Sequence, residues 1–194
     1  MSKVTLALTW ATPPAWTGHI LDNFDEFLID HANCERKASA LAMSFAVKYA
    51  DRTAMVPVLI ELAREELVHF QQVYALMELR GLRLAADSKD PYVNALNALC
   101  RSRSRERFLD RMLVSSLVET RGAERFRLLH EALEDAALKA FYRELWACEA
   151  KHGNQFAELA LLYFPEQELY ERLGELLQAE GEIARGLEWR PSLH

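Results

Sequence analysis

A chain of 194 residues that is 51% apolar can build one sizeable core and is short for two domains of ordinary size, so a single domain over residues 1–194 is expected. Seven Gly and six Pro exclude collagenous and disordered classes, and no uncharged apolar run of about 18 residues is present to span a membrane. The net charge of −6 points away from general nucleic-acid affinity, although a local basic patch exists.

In chain order, the first helical pattern runs from about Thr17, a plausible N-cap, to Tyr49, with Ile20, Phe24, Phe27 or Leu28, Ala38, Ala42 and Phe45 on its apolar face. After Asp51-Arg52-Thr53 the second begins, with Pro57 tolerated in its first turn, and it continues through Leu59, Leu62, Val73, Leu76 and Met77 to a stop at Gly81. Residues 82–91 read as a connection, and Pro91 opens a short helix ending near Cys100. Helix three covers about Arg105 to His130 and helix four about Glu134 to Phe164, closed by Pro165. A final amphipathic segment from Glu166 to about Ala179 is expected outside a four-helix bundle or at a subunit contact. Strand signals are absent, and the connection of about 24 residues between helices two and three is long enough to cross such a bundle.

Charged residues interrupt the apolar stripes in a repeated way. Helix two carries Glu66-Leu67-Val68-His69 on the stripe 59, 62, 66, 69, 73, 76, and helix four carries Glu149-Ala150-Lys151-His152 on 138, 142, 145, 149, 152, 156, 159. Helix one has Glu35 on the stripe 24, 28, 31, 35, 38, 42, and helix three has Glu119 on 108, 112, 116, 119, 123, 126. Glu35 precedes Glu66 by 31 residues and Glu119 precedes Glu149 by 30, as two similar hairpins would arrange them. One Glu from each of two helices and a Glu-x-x-His from each of two others is the ligand set of ferritin-like di-iron and di-manganese carboxylate proteins. Four carboxylates facing one core are too costly without cations, and two divalent metals neutralise them. The expectation is an all-α, ferritin-like four-helix bundle with a long crossover, two iron ions held by Glu35, Glu66, His69, Glu119, Glu149 and His152, and dioxygen as co-substrate. The same donors suit manganese. On helix three Glu119 is preferred to Glu124, which lies about 140° around the helix.

Cys34, Cys100 and Cys148 form no CxxC and are read as reduced, Cys34 and Cys148 as small residues beside the core. His31, one turn before Glu35, either bonds a ligand or is a satisfied core histidine. Trp146, Tyr74, Tyr142 and Phe156 are read as core packing. The run Arg101, Arg103, Arg105, Arg107 and Arg111 reads either as phosphate contact or as a solvated helix start with intramolecular pairs. The opening residues lack the apolar core and cleavage site of a secretory signal, which makes a cytoplasmic location the default.

The segments His31-Ala32-Asn33-Cys34-Glu35-Arg36-Lys37-Ala38, Arg64-Glu65-Glu66-Leu67-Val68-His69-Phe70, Glu119-Thr120-Arg121-Gly122-Ala123-Glu124-Arg125-Phe126 and Glu149-Ala150-Lys151-His152, with Trp10-Ala11-Thr12-Pro13-Pro14-Ala15-Trp16, resemble the tRNA hydroxylase family that acts on 2-methylthio-isopentenyl-adenosine. The likeness covers almost the whole chain. It implies dioxygen-dependent hydroxylation of the isopentenyl group at a non-haem di-iron centre, with tRNA and an external electron donor as partners and no membrane. It carries the six ligands onto the positions already named and makes the arginine run a candidate tRNA-facing patch. The competing classes are a ferritin-like iron-handling or peroxide-scavenging protein and a di-iron oxygenase for a small hydrophobic metabolite. A rubrerythrin-type Cys-x-x-Cys pair is missing.

Overall fold

The computed structural model describes residues 6–86 and 88–194. Among these residues there are seven helices and no strand: α1 (Ala15–Asp22), α2 (Phe24–Lys48), α3 (Val56–Leu79), α4 (Pro91–Ala98), α5 (Ser104–Ala132), α6 (Ala136–Leu161) and α7 (Glu166–Gly186). No helix among them is long and apolar enough to cross a membrane. Contacts group the chain into two compact units, one built from residues up to Gly18 with Lys89–Trp189 and His194, the other from His19–Ser88 with Arg190–Leu193.

The second unit is the α2–α3 hairpin. The expected first helix is in fact two, because Asn23 interrupts it: its side-chain amide donates to the His19 carbonyl (2.9 Å), and an Asx side chain competing for backbone groups is a common reason for a helix to stop. Thr17 does not cap this segment. It lies inside α1, where its hydroxyl donates to the Pro14 carbonyl. The hairpin runs antiparallel, with Ser39 Oγ donating to the Ala63 carbonyl (2.8 Å). Its far end closes as expected: Gly81 has φ +69°, Leu82 N–H reaches the Met77 carbonyl and Gly81 N–H that of Glu78, the paired bonds of a Schellman stop.

The first unit contains α4 to α7. Asp90 caps α4 by accepting from Val93 N–H (3.1 Å), and Asp135 caps α6 by accepting from Ala137 and Leu138 (2.9 and 2.8 Å), each cap contributing about 1 kcal/mol. The α5 stripe through Phe108, Met112, Ser116, Ala123 and Phe126 is buried, as is the α6 stripe through Tyr142, Leu145, Phe156 and Leu159. Tyr74 departs from expectation, being 36% exposed on α3 rather than in the core.

The C-terminal helix is longer than its expected end near Ala179 and is built into its unit. Leu169, Leu173 and Leu176 are buried, and so is Glu180. Glu180 receives Arg121 Nε (2.8 Å) and Nη2 (2.9 Å) and the Tyr92 hydroxyl (2.9 Å). Arg121, itself fully buried, also donates to Glu124 (2.5 Å), to Thr12 Oγ1 (3.2 Å) and to the Trp10 carbonyl (3.0 Å). Burial first and the Glu180 charge second hold the Tyr92 phenol well above its ordinary value, so Tyr92 is a pure donor here. Next to it, burial draws the Arg125 guanidinium down to about 10.

Candidate metal centre

Each hairpin gathers its own ligand-type residues. In α2–α3, Glu35, Glu66 and His69 are 3%, 1% and 8% exposed, and their donor atoms lie within 4.8 Å of one another. His69 Nδ1 is 3.2 Å from Glu66 Oε2 and 3.6 Å from Glu35 Oε2. The other Glu35 oxygen is held by His31: its Nε2 lies 2.7 Å from Oε1, and since an ionised carboxylate only accepts, the imidazole donates. His31 is fully buried against the Phe27 ring. This placement fits both sequence readings of His31, a residue bonded to a candidate ligand and a satisfied core histidine.

In α5–α6 the same local geometry recurs. His152 Nδ1 is 3.1 Å from Glu149 Oε2, and both residues are buried. Glu119 is half-buried on α5. Its rival Glu124 is committed elsewhere, accepting from Thr12 N–H (2.9 Å), Thr12 Oγ1 (2.7 Å) and Arg121 (2.5 Å). That is a structural assignment the sequence alone did not make, because Thr12 is 112 residues away. A second relationship missed from sequence is Cys148 Sγ at 3.5 Å from His152 Nε2. The four-residue interval between them was the available signal.

Two buried carboxylates beside one imidazole are electrostatically unfavourable by themselves, since like charges at this depth cost several kcal/mol. A divalent cation with metal–donor bonds of about 2.0–2.2 Å would satisfy donors this close together. Carboxylate oxygens and imidazole nitrogens are compatible with iron. The donor set therefore fits the metal that the sequence pattern implies, and His31 supplies the outer hydrogen bond that commonly orients a ligand carboxylate.

The five arginines divide into classes. Arg101 donates three bonds to buried Asp110, from N–H (2.8 Å), Nε (2.9 Å) and Nη2 (2.7 Å), and Arg172 holds the same carboxylate. Burial pushes that carboxyl up, but the hydrogen bonds from Arg101 and Arg172 outweigh it and leave it below its ordinary value. Arg105 makes a two-pronged pair with Glu168 (2.5 and 2.7 Å) and lies over the Phe164 ring. Arg103 and Arg107 are exposed, and Arg111 is half-buried.

A curated relative from Pseudomonas putida, named tRNA 2-(methylsulfanyl)-N(6)-isopentenyladenosine(37) hydroxylase, is 38% identical over 168 residues, covering 87% of this chain and 81% of the relative. A Salmonella typhimurium protein of the same name is 24% identical over 209 residues, covering 82% of this chain and 77% of its own. Among solved structures, Protein 43 with aldehyde deformylating oxygenase activity from Synechococcus superposes with a TM-score of 0.91 at 36% identity, covering 96% of this chain and 94% of that one. The fold class is accordingly all-helical and ferritin-like. Residues 1–194 match one family over their whole length, and the chain belongs to that family, tRNA-(MS[2]IO[6]A)-hydroxylase (MiaE).

Proposed function

We propose that this protein hydroxylates the isopentenyl group of 2-methylthio-N6-isopentenyladenosine in tRNA, using dioxygen, an external electron donor and two iron ions held by Glu35, Glu66, His69, Glu119, Glu149 and His152. The observation that carries the reading is the twice-repeated buried Glu-x-x-His geometry, with Nδ1 to carboxylate distances of 3.2 Å at His69 and 3.1 Å at His152, in a chain 38% identical to a protein of that name. Bound as a pair, the irons supply reductive activation of dioxygen with two electrons and two protons, one oxygen atom entering a C–H bond and the other leaving as water.

The chain's own residues do the rest. The carboxylates neutralise the cations, and the two imidazoles present Nδ1 on the carboxylate side. His31 fixes the orientation of Glu35 through a 2.7 Å bond. Buried apolar neighbours, Leu62 and Val73 on α3 and Leu145 and Phe156 on α6, keep bulk water from the ligands and favour attack on substrate over side reactions.

The test is a single turnover. Protein loaded with two ferrous ions per chain receives dioxygen, a chemical reductant and tRNA bearing the isopentenyl modification, and the digested nucleosides are read by mass spectrometry. Gain of one oxygen atom on the isopentenyl adenosine is expected. A second reading, a di-iron oxygenase for a small apolar metabolite, draws support from the Synechococcus protein, which is named for an aldehyde deformylating oxygenase activity. Iron oxidation with no gain on tRNA, but with turnover of a fatty aldehyde, would favour it.

A further inference from the structure

Arg103, Arg107 and Arg111 recur at intervals of four residues, so they form a row along one flank of the start of α5, each about 6 Å beyond the last along the axis. The alternate arginines do not share this row. Half-buried Arg101 is paired with Asp110 and exposed Arg105 with Glu168, tying the α4–α5 junction and α5 to α7. The acids within residues 101–111 are Glu106 and Asp110. Asp110 is fully buried and already carries two guanidinium groups. Burial first and the Asp110 carboxylate second hold the Cys100 thiol above its ordinary value, with Arg111, Arg107 and Arg172 opposing that rise, so three guanidinium groups lie near this junction of a chain whose net charge is −6.

We propose that Arg103 and Arg107, extended by Arg111, bind successive phosphates of an RNA strand, whereas Arg101 and Arg105, each held by a carboxylate, take no part in binding. The inference rests on the tRNA reading above. A guanidinium fork pairs with phosphate through two parallel hydrogen bonds, and the rise of one helical turn per arginine is close to the repeat of phosphates along a strand. An exposed arginine also keeps its counterion until RNA displaces it, and the release of that ion gives binding its salt dependence.

The experiment is a fluorescence anisotropy titration of labelled tRNA bearing the isopentenyl modification, with metal-loaded protein, between about 50 and 200 mM salt. R103A/R107A is expected to bind roughly ten-fold more weakly and to lose about 1.4 from the slope of log K against log salt, about 0.7 per phosphate contact on a single strand. R103K/R107K should keep most of that slope. R127A removes an exposed arginine paired with Glu131 near the other end of α5 and should leave the slope unchanged. R101A should lower the melting temperature and leave the slope alone. A wild-type slope in R103A/R107A, or an equal loss in R127A, overturns this assignment while the hydroxylase reading stands. Wild-type protein without salt-dependent affinity for tRNA overturns both.

Discussion

Gly153 and Thr120 touch backbone to side chain: a Cβ built on Gly153 would stand 2.6 Å from Thr120 Oγ1 and 3.3 Å from the Ser116 carbonyl. The contact is reinforced by Ser116 Oγ donating to the Gly153 carbonyl (2.6 Å) and by Thr120 Oγ1 donating to the Ser116 carbonyl (2.7 Å). Gly153 directly follows the candidate ligand His152, so the separation of α5 and α6 is set by backbone beside the proposed metal site. G153A is expected to destabilise by about 1–3 kcal/mol through overpacking, and T120A in the same chain to recover part of it. Chemical denaturation of the two single variants and the double variant measures the coupling.

Glu119 and Glu124 should separate cleanly. E119A is expected to lose tight binding of two metals per chain while keeping its helical signal. E124Q should keep both metals but lose about 1–3 kcal/mol, because it weakens the acceptor for Arg121 and Thr12. Elemental analysis after gel filtration, alongside a thermal melt, reads both quantities. Two metals retained in E119A would sink its assignment as a ligand.

Removal of the His31 imidazole should weaken metal binding without removing a ligand. An outer partner of this kind typically contributes 10–100-fold in metal affinity, and H31A is expected to fall in that range in a competition titration with a chromogenic chelator. H31Q, which can still donate to Glu35, should recover part of the loss.

Asp110 gives the protein an acid limit. Its folded pKa lies below its ordinary value, so its contribution is fully present above the unfolded value of about 3.9 and is lost as pH falls from there through the folded pKa. D110N should be less stable at neutral pH, leaving Arg101 and Arg172 without their shared carboxylate, and its stability should vary less with pH below about 4 than that of the wild type. Urea unfolding at a series of pH values between about 2.5 and 7 checks the slope.

The candidate ligand pattern stood out because a Glu or His on an apolar stripe is a local contradiction, and four stripes carried one at matching intervals. The stop at Gly81 was legible for the same reason, since a glycine after an amphipathic run has a specific backbone use. What was not legible was set by partners distant in sequence. Nothing near Glu124 announces Thr12, and nothing near Arg121 announces Glu180, 59 residues on, so the C-terminal helix read as an appendage when it is part of the packing. The interruption at Asn23 was hidden because the apolar period runs through it on both sides. The arginine run looked uniform in sequence, and the pairing of Arg101 and Arg105 depends on Asp110 and Glu168 being where the fold puts them.

The pairing of Arg121 with Glu180 also orders events during synthesis. The α2–α3 hairpin has both its helices as soon as Leu79 has been made, although Asn33 and Asp30 still wait for Ala85 and Leu193. The other unit has both long helices by Leu161, yet the cation at the middle of α5 waits for a carboxylate 59 residues downstream of it. At a translation rate of about 5–20 residues per second, that interval is roughly 3–12 s, during which Arg121 lacks its two-pronged acceptor and Tyr92 its own. The nascent chain thus matures from its first hairpin onward, and the helix made last admits the α5 arginine to the core.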